Sequence, residues 1–260
     1  MPIITLTTDL GNSDFYLSTV KAKIISQNPD CHIIDISHEI NKFSIAEAAF
    51  VLKSVFNNFP NDTVHIIGVG AGAIDEGRHL AIKYKNQYIL TADNGFFSLI
   101  ADQHADLIVE LQMNLDTDLV TFPTRDLYAP AAAYLSKGGT LEMIGRKTEQ
   151  FQQRTLIQPV VGDDHIKGMI IYVDSYGNAI SNITKELFRQ IGKDRAFIIG
   201  FIHKGYEIEE IGTRYSSASE GDRLAMFNST GNLEIAINKG HAANLLGLGM
   251  GESIIISFDD

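Results

Sequence analysis

Short β-branched runs alternate with helix-patterned stretches from the amino terminus to about residue 145, and this alternation constrains the chain more than any other feature. IITLTT leads into a helix expected near 13–27, HIIDI into a helix near 44–58, and VHIIGVG follows. Such a pattern requires an α/β domain with a largely parallel sheet, because each helix must carry the chain back across a sheet face. In the second helix Ile45, Ala48, Ala49, Leu52, Phe56 and Phe59 recur at three- and four-residue spacings before Pro60. HLAIKY and QYILTA, joined at Lys85 and Asn86, read as a hairpin or a tightly joined strand pair. PAAAYLSKGG reads as a helix started by Pro130 and stopped by glycines.

After GDDHIKG the character changes. GMIIYVD, NAISNI, AFIIGF, YEIEEI, RLAMFN, LEIAIN and SIIISF are short strands separated by Gly, Asn, Asp and Ser, the pattern of a mostly antiparallel sheet or small barrel. The expected fold class is therefore an α/β amino-terminal domain, residues 1–160, with a smaller β-barrel-like carboxyl-terminal domain, residues 165–260. The boundary falls between Gln158 and Asp164. A chain of 260 residues with 45% hydrophobic composition can bury a core in each.

A formal net charge of -11 repels a polyanion, so no nucleic-acid partner is expected. The lone Cys31 has no internal disulfide partner and reads as a small buried thiol in a reducing compartment. MPIITLTTD lacks a basic region followed by a long apolar one, and no apolar run reaches membrane-spanning length. The expectation is a cytoplasmic protein with no membrane partner.

Candidate chemistry gathers in a few motifs. TTDLGNSD puts Asp9 at the end of the first strand, where open α/β sheets collect ligands and a carboxylate can take both hydroxyls of a ribose; a turn or helix-capping aspartate is the other reading. GVGAGAIDEGRH, residues 68–79, matches neither GxGxxG nor a Walker sequence and runs into a strand, so no helix amino terminus faces an anion there. ADNG and TRD read equally as turns or as polar clusters at strand ends. In DSYGN, Asp174 can bind an ammonium, Tyr176 can stack on a base and Asn178 can read a base edge; an Asx turn with Tyr176 in the core is the alternative. NSTGNLEIAIN forms a hairpin-like turn whose Ser229 can touch a ligand. The histidines show no metal-ligand spacing, a single Cys excludes a thiolate zinc cluster, and no GxSxG elbow is present.

Taken in order and at these separations, TTDLGNSD, DISHEI, ADNG, TFPTRDLYAPAAA, YVDSYGNAISNI and NSTGNLEIAIN resemble the S-adenosyl-L-methionine (SAM) hydroxide adenosyltransferases, relatives of the fluorinases and chlorinases. The resemblance implies an α/β domain joined to a β-barrel-like domain, and a homotrimer whose sites lie between the amino-terminal domain of one subunit and the carboxyl-terminal domain of the next. It implies that Asp9 holds the ribose diol and that Phe43 stands against the substrate. Asp174 and Ser229 hold the amino acid end, Tyr176 and Asn178 lie beside the adenine, and Tyr215 is a further adenine contact. No metal or cofactor is implied; SAM is the substrate or ligand.

At the nucleophile the sequence departs from the family pattern. In place of an aspartate stands Gly70, in place of a first arginine Gly77, and in place of a histidine Pro123, while Arg78 occupies the second arginine position. Gly70, Arg78, Pro123 and Thr124 are therefore the candidate catalytic positions, with Asp75, His79 and Arg125 within possible reach. The reaction implied is adenosyl transfer to water, giving adenosine and L-methionine. Two other functions stay open: non-catalytic binding of SAM or adenosine, and transfer to another small nucleophile such as a halide, held by the amides of Gly70, Ala71 and Gly72 or of Thr124.

Overall fold

The structure, a computed structural model, describes residues 1–72, 77–112, 121–201 and 205–259. The chain divides into two compact units, Met1–Leu156 and Ile157–Asp260. The first contains β1 (Ile3–Thr8), α1 (Tyr16–Gln27), β2 (His32–Ser37), α2 (Ile45–Val55), β3 (Val64–Gly68), β4 (His79–Tyr84), β5 (Gln87–Ala92), α3 (Phe96–Ile100), β6 (Leu107–Leu111), α4 (Ala129–Ser136) and β7 (Gly145–Lys147). Its seven strands lie in the order β2-β1-β3-β5-β4-β6-β7. The first four are mutually parallel, and β4, β6 and β7 each pair antiparallel with the strand before them in that order. The β4–β5 hairpin turns at Lys85 and Asn86, both at positive φ (48° and 60°), as a two-residue hairpin with the right twist demands.

Strand alternation sorts the side chains between two cores. Leu6, Ile66, Leu90 and Ala81 pack on one face with Val20, Ile24, Ala131 and Leu135. On the other face Ile67, Leu80, Ile82 and Ile89 pack with Ala48, Leu52 and Phe96. Two expected boundaries move. The first helix begins at Tyr16 rather than near residue 13. The helix expected to start at Pro130 begins earlier: Pro123 has helical angles, a π-helical turn spans Thr124–Tyr128, and Pro130 falls in the first turn of α4. Because the helix already runs from Pro123, Pro130 lies inside it, just past the π-helical turn, where the backbone bonds are shifted out of the regular i→i−4 ladder.

His65 is fully buried in β3, bridging Thr5 Oγ1 (2.7 Å) and Gln87 Oε1 (2.7 Å). Burial pushes its pKa down to about 4, against only a small upward pull from the Gln87 bond. The unfolded chain thus binds a proton near pH 6.5 that the folded chain refuses until about pH 4. Stability from this group is complete above pH 6.5 and falls as the pH drops toward 4, by about 3 kcal/mol. Urea unfolding at pH 7 and pH 4.5 should show the loss, and His65→Gln should flatten the slope; equal slopes for the two proteins would remove His65 as its cause.

The second unit holds β8 (Val160–Val161), β9 (His165–Val173), β10 (Ala179–Thr184), α5 (Lys185–Gly192), β11 (Phe197–Phe201), β12 (Ile211–Gly212), β13 (Arg223–Phe227), β14 (Asn232–Ile237), α6 (Ala242–Leu246) and β15 (Ser253–Phe258). The sheet order is β11-β15-β9-β10-β14-β13-β12, with β8 on β9, and it curls into a half-barrel. All pairs are antiparallel except β12–β13. Ile166, Ile183, Ile199, Leu233, Ile235 and Ile256 form its core. YEIEEI, expected as a strand, supplies only a bridge at Ile208 and the start of β12, its alternating glutamates leaving little apolar surface to pair. The sequence reading also missed α5, which Thr184 caps by accepting the Leu187 N–H at 3.2 Å.

Candidate active site

Asp9 follows β1 directly and is 8% exposed. Its Oδ2 accepts the N–H groups of Phe43 (2.9 Å) and Gly70 (3.3 Å), and its carbonyl accepts from Lys42 Nζ. Phe43 and Gly70 both sit at positive φ (64° and 60°), which turns their amides onto the carboxylate. Phe43 leaves its ring 66% exposed. Oδ1 takes no bond among the described residues, so one face of the carboxylate is held by the protein and the other is open. His38 fixes the turn from behind: its Nδ1 lies 2.8 Å from Thr8 Oγ1, its Nε2 3.1 Å from Asp35 Oδ1, and its carbonyl accepts from Gly11 N at 2.8 Å. Nothing in the spacing of DISHEI had singled out that role.

The wall beside Asp9 is neutral. A Cβ at Gly68, the last residue of β3, would lie 2.9 Å from Thr124 Oγ1 and 3.1 Å from Thr8 Cγ2, so two threonines fill the space a side chain there would need. Thr124 is buried at the start of the π-helical turn, preceded by Pro123, which offers no N–H. Tyr128, one turn on and fully buried, meets His79 Nδ1 at 2.6 Å. Burial alone lowers the His79 pKa and raises that of the Tyr128 phenol.

The two arginines are committed elsewhere. Arg78 reaches Asp93 (3.2 Å), Glu110 (3.3 Å) and the Gln150 carbonyl (3.0 Å). Arg125 is held by both oxygens of Asp126, at 2.7 and 2.8 Å. Asp75 lies outside the described residues. Asn94 of ADNG is buried and donates to the Val69 carbonyl at 3.4 Å, steadying the chain just before Gly70.

In the second unit the DSYGN turn is an Asx turn built on Asp174. Oδ1 accepts from Tyr176 N (3.0 Å) and Asn178 N (2.9 Å), while Oδ2 accepts from Asn178 Nδ2 (3.0 Å). Gly177 is required at φ 81°, and a Cβ there would strike the His241 ring. Tyr176 does not enter the core: it is 78% exposed. Tyr215, half exposed, donates to Glu234 Oε1 at 2.8 Å, and its pKa rises to about 12 through burial, the Glu234 bond, and the charges of Glu234, Asp174 and Tyr176. Asp174, Tyr176, Asn178 and Tyr215 are thus neighbours, and Ser229 is exposed in the turn that follows Asn228. Among the described residues no group of three or more His, Cys, Asp or Glu side chains could hold a metal ion.

Residues 4–145 match the SAM hydroxide adenosyltransferase N-terminal domain and residues 168–255 the SAM hydroxide adenosyltransferase C-terminal domain. The chain belongs to the SAM hydroxide adenosyltransferase family. A protein of Methanocaldococcus jannaschii named (R)-S-adenosyl-L-methionine hydrolase is 30% identical over 255 residues, covering 95% of this chain and 92% of its own. A protein of the same name from Thermus thermophilus is 27% identical over 252 residues, covering 92% and 93%. The crystal structure of an uncharacterized conserved protein from Thermotoga maritima superposes with a TM-score of 0.88 at 30% identity, covering 98% of this chain and 99% of that one.

The two residue sets expected from sequence each sit on one unit. Asp9, Phe43 and Gly70 are joined by hydrogen bonds in the first, and Asp174, Tyr176, Asn178 and Tyr215 adjoin in the second. Arg78 is not directed at Asp9 but built into an ion-pair cluster. Glu234, which the sequence reading had not singled out within NSTGNLEIAIN, is buried and accepts from Tyr215 and from Asn228, the residue before Ser229.

Proposed function

We propose that this chain is a SAM hydrolase, transferring the adenosyl group to water to give adenosine and L-methionine. The near-full-length match to proteins so named carries this conclusion, and the half-held carboxylate of Asp9 supports it chemically. In this reading Oδ1 of Asp9, both of whose lone pairs are free among the described residues, takes the ribose diol, and the exposed Phe43 ring lies against the substrate. Asp174 retains one lone pair on Oδ2 after its turn bonds, enough for the substrate ammonium. Ser229 holds the amino acid end. Tyr176, Asn178 and Tyr215 flank the adenine.

The sulfonium leaves as a neutral thioether, so no acid is needed at the leaving group. What is required is a water held in line with the ribose 5′ carbon and partly stripped of solvent. We assign that wall to Gly70, Pro123 and Thr124, which present backbone and hydroxyl groups but no charge. Arg78 takes a structural role. We also propose a homotrimer with sites between the amino-terminal unit of one subunit and the carboxyl-terminal unit of the next. A cytoplasmic setting is proposed too, with the lone Cys31 in its favour; no helix among the described residues is long and apolar enough to cross a membrane.

The test is product analysis by mass spectrometry after incubation with SAM, in halide-free buffer and with chloride. Equal amounts of adenosine and methionine, independent of chloride, are expected. A 5′-halogenated adenosine would move the protein to the halide branch, and retained SAM without product would make it a binder.

A further inference from the structure

We propose that Glu234 is a positioning residue for the substrate, a buried carboxylate that sets the Tyr215 ring and the Ser229 turn in one fixed relation. The proposal rests on the hydrolase reading above and adds to it a residue that is not expected to touch SAM.

Glu234 lies on β14, paired with Ile180 of β10 on one side and Met226 of β13 on the other, and is 2% exposed. A glutamate at such a place is rare, because removing a carboxylate from water is costly unless its oxygens are satisfied. Here no cation meets it among the described residues. Instead Oε1 accepts from Tyr215 Oη at 2.8 Å and Oε2 from Asn228 Nδ2 at 3.0 Å. An apolar residue would pack beside Leu224, Met226 and Ala236, the small cluster on this face of the sheet, without that penalty, so stability alone does not explain the residue.

What the carboxylate secures is two loops of different origin. Tyr215 opens the short helical turn Tyr215–Ser217, and with its hydroxyl held inside, its ring is left half exposed and fixed in direction. Asn228 directly follows β13, and with its amide nitrogen given to Glu234 its Oδ1 accepts from Thr230 N (3.0 Å), Thr230 Oγ1 (2.7 Å) and Asn232 N (3.3 Å). That set of bonds shapes the turn carrying Ser229. One buried group therefore determines where an aromatic face and an exposed hydroxyl stand relative to each other. Asp174 and Tyr176 are close enough for their charges to act on the Tyr215 phenol, which brings the third loop into the same assembly.

Glu234→Gln keeps the shape but sets an amide N–H₂ against one of the two donors and removes the charge. The Michaelis constant for SAM should rise about tenfold to a hundredfold, the loss expected when one charge-assisted bond no longer holds the contact surface, with kcat within about threefold. Tyr215→Phe should raise it similarly, and the double variant should lose little more than either single change, since both break one link. Independently of turnover, Tyr215, pushed up to about 12 first by burial and then by Glu234, with Asp174 and Tyr176 also facing it, should titrate lower in Glu234→Gln, where the burial stays but the Glu234 bond and charge are gone, followed by tyrosine-selective NMR against Tyr215→Phe. A Gln variant with unchanged Michaelis constant in an active protein, or an unchanged Tyr215 titration, would overturn the positioning role. Wild-type protein that neither binds nor cleaves SAM would overturn the hydrolase reading itself.

Discussion

Asp9→Ala is expected to abolish measurable SAM binding. The diol of a bound ribose would lose two hydrogen bonds to a carboxylate, each worth roughly 1.5 to 3 kcal/mol, so affinity should fall on the order of a hundredfold or more. A second effect acts through the fold. Oδ2 is the acceptor for Phe43 N and Gly70 N, both at positive φ, and removing it releases Gly70 and the strained Phe43, which shape the same pocket. Asp9→Asn separates these contributions: it keeps an acceptor for the amides and loses the charge, and should bind with intermediate affinity. Isothermal titration of SAM into the three proteins reads the series. Normal binding by the alanine variant would remove Asp9 from the site.

Arg78→Ala is expected to damage stability, not chemistry. Its guanidinium reaches Asp93, which is 3% exposed, as well as Glu110 and the carbonyl of Gln150. Truncation leaves the Asp93 carboxylate buried with, among the described residues, the Gln152 N–H at 2.7 Å as its remaining donor. Breaking one side of a buried pair costs about 3 to 5 kcal/mol, and the partial exposure of Arg78 puts the expected loss near the lower end. Denaturant unfolding should show it, while turnover per folded molecule stays at the wild-type value. A stable variant with lost turnover would return Arg78 to the mechanism.

The parts of the fold that the sequence displayed were those set by local periodicity. Ile45, Ala48, Ala49 and Leu52 marked α2 because a helix buries one stripe, and Lys85–Asn86 marked the hairpin because few residues accept positive φ there. The start of the helix at Pro123 was hidden because the π-helical turn interrupts the 3.6-residue period and Pro130 mimics a helix start. In the site, residues on glycine-bearing turns were legible: Asp9, Asp174 and Asn178 all carry turn chemistry that a linear reading detects. Glu234 was not, since LEIAI reads as an ordinary strand and its partners lie 19 and 6 residues away. The commitment of Arg78 was equally hidden, because Asp93, Glu110 and Gln150 meet only after three separate chain segments are brought together.

The most direct measurement is hydrolysis of SAM in water enriched in oxygen-18, followed by mass spectrometry of both products. Attack of water on the ribose 5′ carbon puts the heavy oxygen in the 5′-hydroxyl of adenosine and leaves methionine unlabelled. Unlabelled adenosine, or label appearing on the amino acid product, would contradict adenosyl transfer to water.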